Sequence, residues 1–364
     1  MVSKPATNIQ NSLTLMTGIS RYSILLLVLG LLVSCSPSPK EFTVTPAFYH
    51  WKSEFLPKEK EIDFLSTLST SKLYVRYFDV ALEDGIPLPV AVLESKTDFP
   101  DNYEIIPVVY ITNSAMKIIP PDEVRILADR ILEKVKSIHA NIADGPFKQL
   151  QLDCDWSGDS KENYFLLLDS IKKALNDKNQ SLSITLRLHQ FKNPKKSDIP
   201  PADRAMLMFY NMGEVEDYLE TNSILNLDAA SKYLDTKKRY PLPMDLVLPL
   251  FQWGCIFRDQ QLVHLSNNLT LSVLGDKTRF SKLSDNRYRV IKSTYLQGYF
   301  LYEGDEIRHE SVSFEQLSSS VELLKEIRNT DEFSMAFYHL DSLSIEQFSP
   351  TELKQLMQQM AKGK

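Results

Sequence analysis

Cysteine is nearly missing: Cys35, Cys154 and Cys255 are the three in a chain of 364 residues. That number cannot build a disulfide-stapled scaffold, and no Cys/His spacing resembles a zinc site. Glycine is also scarce, at 11 residues. Neither G-x-G-x-x-G nor G-x-x-x-x-G-K-[ST] occurs, which removes both glycine-rich nucleotide cradles. Basic runs interleaved with aromatics are missing and the net charge is −6, so nucleic acid is not an expected partner. No cofactor or metal is expected. What is present is ordinary globular material, 43% hydrophobic and 24% charged, enough for a large core.

The N-terminus stands apart. Arg21 precedes an apolar run over residues 24–33, which ends at Ser34 and Cys35. A run of about ten residues is too short to span a bilayer comfortably and suits the core of a signal peptide. Leu32-Val33-Ser34-Cys35 resembles the lipobox of bacterial lipoproteins. The resemblance implies cleavage before Cys35, a lipid on its thiol, and a membrane as partner through that lipid. Residues 1–35 are then the signal peptide and residues 36–42, with Pro37 and Pro39, the tether. The expected location is the bacterial cell envelope, facing periplasm or cell surface. An uncleaved N-terminal anchor is the rival reading.

From residue 43 onward, short apolar strands alternate with amphipathic helices. Strands are predicted at 43–51, 72–80, 103–112, 149–156, 182–190, 204–211, 245–253 and 332–341. Helices are predicted at 57–68, 121–142, 160–176, 213–221, 228–238 and 313–329. Ser313 with Gln316, and Ser349 with Glu352 around Pro350, fit capping boxes. Strand then helix, repeated about eight times, is the pattern of a (β/α)8 TIM barrel, an α/β fold. A doubly wound open sheet is the rival. Residues 254–312 break the rhythm with hairpin-like patterns, predicting a β-rich insertion between strands 7 and 8. Residues 43–364 then form one barrel domain that includes it.

Barrel sites lie at the C-terminal ends of strands. Those ends are rich in aromatic and amide-bearing residues. Strand 1 ends in His50 and Trp51, strand 4 in Asp155 and Trp156, strand 5 in Arg187 and His189. Strand 6 ends in Tyr210 and Asn211, strand 7 in Gln252 and Trp253, strand 8 in Tyr338, His339 and Asp341. Flat aromatic faces stack on the C–H faces of sugar rings, while amides and carboxylates bond hydroxyls. These residues, with Arg76, are the candidate carbohydrate contacts; aromatics packed under loops are the alternative. Strands 4 and 5 both alternate, Gln149, Gln151, Asp153 and Asp155 sharing one face and Ser183, Thr185, Arg187 and His189 another. Arg187 can reach Asp153 or Asp155, and a buried Asp153–Arg187 pair is the structural expectation. Cys154, on the opposite face, is expected to pack under a helix as a small hydrophobe rather than join Cys255.

The run L-D-C-D-W-S-G over residues 152–158 resembles the strand-4 signature of glycoside hydrolase family 18, the chitinase-like barrels, D-x-x-D-x-D-x-E. Asp153, Asp155 and Trp156 match; Leu150 replaces the first Asp and Ser157 stands in the place of the acid Glu. Tyr210 in M-F-Y-N also matches that family's strand-6 motif, with Asn211 for its Asp. The resemblance implies a glycosidase-like barrel, with Asp155 and Asp153 as the candidate catalytic pair. In that family the Glu protonates the glycosidic oxygen, a contribution of about 10²–10⁴-fold. A serine cannot replace it, so binding or slow hydrolysis is expected. Asp79, Asp341 and Glu54 are the candidate second acids. The chain also resembles an uncharacterised family of bacterial lipoproteins through its strand-4 run and P-L-F-Q-W-G (249–254), from which no activity follows. The rival function is a non-catalytic envelope scaffold for a protein partner.

Overall fold

The computed structural model describes Met1 and residues 41–95, 103–234 and 239–363. The lipobox, Cys35 and most of the tether lie outside the described residues.

Eight strands form the core: β1 Thr43–His50, β2 Lys72–Glu83, β3 Glu104–Ile111, β4 Gln149–Cys154, β5 Ser181–Leu186, β6 Arg204–Met208, β7 Met244–Pro249 and β8 Glu332–Tyr338. Each pairs in parallel with the next in chain order, and β8 pairs with β1 from Thr43↔Glu332 to Phe48↔Phe337. The sheet is therefore closed, a (β/α)8 barrel and not the open doubly wound alternative; closure leaves no barrel edge unpaired. Helices Glu59–Thr67, Val124–His139, Lys161–Asn176, Phe314–Lys325 and Pro350–Ala361 pack apolar faces around it. Both predicted capping boxes are present, Ser313 Oγ accepting the Gln316 N–H at 3.1 Å and Ser349 Oγ that of Glu352 at 3.2 Å.

The interior alternation of β4 and β5 becomes polar layers. Gln149, Gln151 and Asp153 are buried inside the barrel with Ser183 and Thr185. Gln149 Nε2 donates to Ser183 Oγ at 2.7 Å, and the Tyr49 hydroxyl donates to Gln151 Oε1 at 2.6 Å. Lower down, Arg204 grips Asp245 at 2.9 and 2.8 Å. Such partners offset the cost of burying these polar groups.

Several local expectations are corrected. Strand 5 stops at Leu186, and residues Leu188–Lys192 turn into a short helix. Gln190 reaches back to the Arg187 N–H at 2.9 Å and ends the strand there. The helix expected at 213–221 is a string of turns. The Asp217 and Glu220 side chains capture the Leu219 and Thr221 N–H groups instead, and those of Asn222 and Glu310 take the Ile224 and Ser223 N–H groups just beyond, an alternative that competes with helix hydrogen bonds. A Cβ on Gly213 would lie 3.0 Å from the Ser223 Cα and against the Glu220 carboxylate, so the loop packs tightly at this glycine. The helix expected at 228–238 shortens to Leu227–Ser231, with Asn226 as its cap, and residues 235–238 lie outside the described residues. Strand 7 stops at Pro249, and Trp253 opens a new antiparallel strand, Trp253–Arg258.

Between β7 and β8 the chain builds a five-stranded antiparallel sheet with its own small core around Ile256, Phe280, Val290 and Ile307. β2 also differs from a plain strand. It runs on to Glu83, and the chain folds back through Asp84 and Gly85, both at positive φ (50° and 78°), into Ile86–Val90. Two left-handed residues in a two-residue loop match the twist of the flanking strands.

Candidate active site at the barrel mouth

β4 and β5 set the centre of the site. Asp153, 3% exposed, accepts the Thr185 hydroxyl at 2.6 Å. Burial pushes its carboxyl up to about 6, against the opposing pull of the Arg187 guanidinium and the Thr185 hydroxyl. Asp155 lies beyond the strand end. Arg187 grips it at two points, Nε on Oδ1 and Nη2 on Oδ2, the latter at 2.9 Å. The expected Asp153–Arg187 pair is therefore not formed. The strand register gives the reason: Leu152 is opposite Ile184, so continuing upward sets Asp153 beside Thr185 and Asp155 beside Arg187.

β2 supplies a second ion pair. Arg76 and Asp79 are three residues apart and would face opposite sides of a regular strand. A register shift against β3 between Arg76 and Phe78 inserts Tyr77 as an extra residue. The bulge brings both side chains to one face, where Arg76 Nε donates to Asp79 Oδ1 at 2.6 Å. The Arg76 guanidinium lies 5.6 Å from the Trp51 ring centre.

These groups surround a cleft of about 490 Å³. Its aromatic lining is Trp51, Tyr110, Tyr210, Phe251, Trp253 and Tyr338. The rings touch in sequence, Trp51 to Tyr338 at 5.7 Å, Tyr338 to Phe251 at 5.7 Å and Phe251 to Trp253 at 5.2 Å. Asp79, Asp153, Asp155, Arg187 and Lys52 supply charge; Asn211, Gln252 and His339 supply further polar groups. The antiparallel excursion contributes Asn267 and Asn268 to the wall and leaves the cleft open. A neighbouring hollow of about 310 Å³ shares Asp155, Arg187, Tyr210 and Asn211 and adds His189 and Tyr233.

Of the residues singled out in the sequence, Trp51, Asp153, Asp155, Arg187, Tyr210, Asn211, Gln252, Trp253 and Tyr338 come together in the cleft. His189 reaches only the neighbouring hollow. Arg76 acts on the cleft through Asp79 and Trp51. His50 is buried with its ring 4.7 Å from Phe55, and burial lowers its pKa to about 3. Trp156 is 5% exposed and stacks on Tyr164 at 5.4 Å. Asp341 caps the turn Ser342–Ile345 and pairs with Lys52 at 2.6 Å. Asp79 is the one candidate second acid that lines the cleft. Ser157 stands off the cleft lining, its hydroxyl 3.2 Å from Asn113 Nδ2. Cys154 and Cys255 are buried free thiols.

His339, expected at the end of strand 8, also lines the cleft; Tyr110, Lys52, Phe251, Asn267 and Asn268 were not foreseen. Tyr110 was within reach of the sequence, since it sits near the end of a strand and shares the alternation of its neighbours. The two asparagines were not, because they belong to the excursion and reach the mouth only through its fold. Among the described residues, no group of three or more His, Cys, Asp or Glu is placed to hold a metal, and no helix is long and apolar enough to cross a membrane.

No protein-family model matches the chain, and no curated protein matches it in sequence. Solved structures do. The Bacillus megaterium spore cortex-lytic enzyme SleL matches with a TM-score of 0.52 and 13% identity, over 90% of this chain and 76% of that one. The Bacillus cereus SleL matches with a TM-score of 0.50 and 13% identity, over 88% and 75%. The Ostrinia furnacalis Group IV chitinase matches with a TM-score of 0.53 and 11% identity, over 87% of this chain and 100% of that one. Identities this low speak for the fold alone. The fold of this chain is that of a chitinase-like, glycoside hydrolase family 18-like (β/α)8 barrel.

Proposed function

We propose that this is an exported, lipid-anchored barrel that binds carbohydrate at its mouth and hydrolyses it slowly or not at all. The observation that carries the reading is the composition of the cleft. Six aromatic side chains share one hollow with carboxylates, amides and a guanidinium, the mixture that stacks on sugar rings and bonds their hydroxyls. The chitinases and cortex-lytic enzymes that share the fold support it by analogy.

Weak turnover follows from the acid position. Ser157 stands there and is turned to Asn113. Asp155 is held in a two-point ion pair with Arg187, both carboxylate oxygens already engaged. Burial pushes the Asp153 carboxyl up to about 6, a range suited to giving a proton near neutrality. The open cleft argues against the scaffold reading, which needs a mouth filled by the excursion. The lipid anchor rests on the sequence at Cys35 alone.

The test is calorimetric titration of the soluble form beginning at Ser36 with chito-oligosaccharides and a wider glycan panel, with product analysis in parallel. Binding with negligible turnover supports the reading. In that case Asp155→Asn lowers affinity only modestly, whereas a true general acid or nucleophile would lose about 10²-fold or more in turnover with binding intact. Robust chitin-oligomer hydrolysis would place the acid elsewhere. No binding across the panel would overturn the carbohydrate reading.

A further inference from the structure

Resting on the carbohydrate reading of the cleft, we propose that Glu310, a residue outside the cleft, is its positioning residue. Its buried carboxylate clamps two of the cleft walls at once.

Glu310 is 1% exposed and lies opposite Trp253 in the antiparallel sheet of the excursion. Its Oε2 accepts the Trp253 indole N–H at 2.9 Å. The same oxygen accepts the Ser223 backbone N–H at 2.8 Å and the Ser223 hydroxyl at 2.6 Å. Its Oε1 accepts Arg308 Nε at 2.5 Å and faces the Cys255 thiol at 3.6 Å. Arg308 is itself fully buried and donates onward to the Asp217 and Val215 carbonyls at 2.5 and 3.0 Å.

The consequence reaches the cleft by two routes. Trp253 lines it directly and leans on Phe251. Its indole N–H fixes the ring's rotation, because a carboxylate acceptor in a dry site is a strong, directional partner. Ser223 carries the second route. Its carbonyl accepts the Met212 N–H at 3.0 Å, and the next carbonyl, of Ile224, accepts the Asn211 N–H at 2.8 Å. Asn211 lines the cleft in a left-handed conformation, φ 53°, one that a non-glycine residue adopts only when its surroundings hold it. A single carboxylate thus holds the Trp253 wall and the Asn211 wall in fixed relation. The excursion is then part of the site's frame as well as a rim.

The test has one arm that needs no sugar. The full chain labelled with 15N-tryptophan gives three indole N–H resonances, from Trp51, Trp156 and Trp253; Trp253→Phe identifies the third. Glu310→Gln should displace the Trp253 resonance and speed its hydrogen exchange while the other two stay put. Ser223→Ala, a milder change, should move the same resonance less and serves if Glu310→Gln does not fold. The second arm is affinity for chitotetraose. Glu310→Gln should weaken it about tenfold, and that loss should shrink in a Trp253→Phe background, where a purely structural role would leave it unchanged. An unmoved Trp253 resonance in a folded Glu310→Gln or Ser223→Ala chain overturns the clamp, as does a full affinity loss in the Trp253→Phe background. A native chain that binds no chitotetraose overturns the carbohydrate reading alone, and the indole arm still decides the clamp.

Discussion

Arg187 holds the half-exposed Asp155 through two hydrogen bonds and leaves the buried Asp153, two residues earlier in the chain, to the hydroxyl of Thr185. Two carboxylates two residues apart therefore have different partners. Asp153, out of water, keeps its proton to about 6; Asp155 is neutralised by a fixed cation.

This division sets the effect of Arg187→Met. Asp155 is 46% exposed on its side chain, so losing the pair itself should lower stability by about 1 kcal/mol. Arg187 also favours the charged form of Asp153. Its removal should therefore hurt more at pH 7.5, where Asp153 is ionised, than at pH 5, where it is not. Urea denaturation at both values checks this; equal losses would mean that Arg187 does not act on Asp153.

Asp153 should also shape the pH profile of folding. Its native pKa is raised to about 6, against about 3.9 in an unfolded chain. The native state holds the proton more tightly, so this contribution is fully present below about pH 4 and is lost as pH rises through about 6. Two units correspond to about 3 kcal/mol. Asp153→Asn should consequently gain on the parent chain between pH 4 and pH 7, seen as converging and then crossing melting temperatures. Parallel curves would contradict the assignment.

The three tryptophans should separate cleanly. Trp51→Ala and Trp253→Ala each remove a stacking face from the cleft and should weaken glycan binding about tenfold, roughly 1.4 kcal/mol. Trp156→Ala empties a packed position over Tyr164 and should cost about 3–5 kcal/mol of stability, with affinity of the folded fraction preserved. A binding defect confined to Trp156→Ala would reverse the placement of the site.

Restoring the acid alone should not restore chitinase chemistry. In Ser157→Glu the carboxyl would enter beside Asn113, while Asp155 stays locked to Arg187 and Asn211 keeps the place of a carboxylate. Hydrolysis of a fluorogenic chitobioside should remain at the parent level. A gain of 10²-fold or more would show that only the acid had been lost.

At the N-terminus, Cys35→Ala should abolish fatty-acid labelling and leave the precursor unprocessed, because Cys35 is the residue that follows the lipobox-like run. Metabolic labelling with a tagged fatty acid decides it; label retained on the variant ends the lipoprotein reading.

The alternation of strand and helix, the strand-end aromatics and the D-C-D-W run are legible in the sequence, because strand and helix periodicity is written locally in residue order. So were the capping boxes, whose partners lie three residues apart. The helix expected at 213–221 was lost because Gly213 and the Ser223–Glu310 contact oppose it, and Glu310 is distant in sequence.

By itself, then, residue order determined a barrel of alternating elements, with polar side chains turned inward on β4 and β5 and aromatics at the mouth. Tertiary structure alone decided which carboxylate Arg187 takes, since that depends on the stagger between two strands. It also decided that Arg76 and Asp79 share a face, which requires a bulge against β3. It buried Trp156 and His50 and left Trp51 and Trp253 in the cleft, and it brought Asn267, Asn268 and Glu310 to the site from the excursion. Each of these depends on where a strand stops or slips by one residue against its neighbour, and a local pattern does not encode that slip.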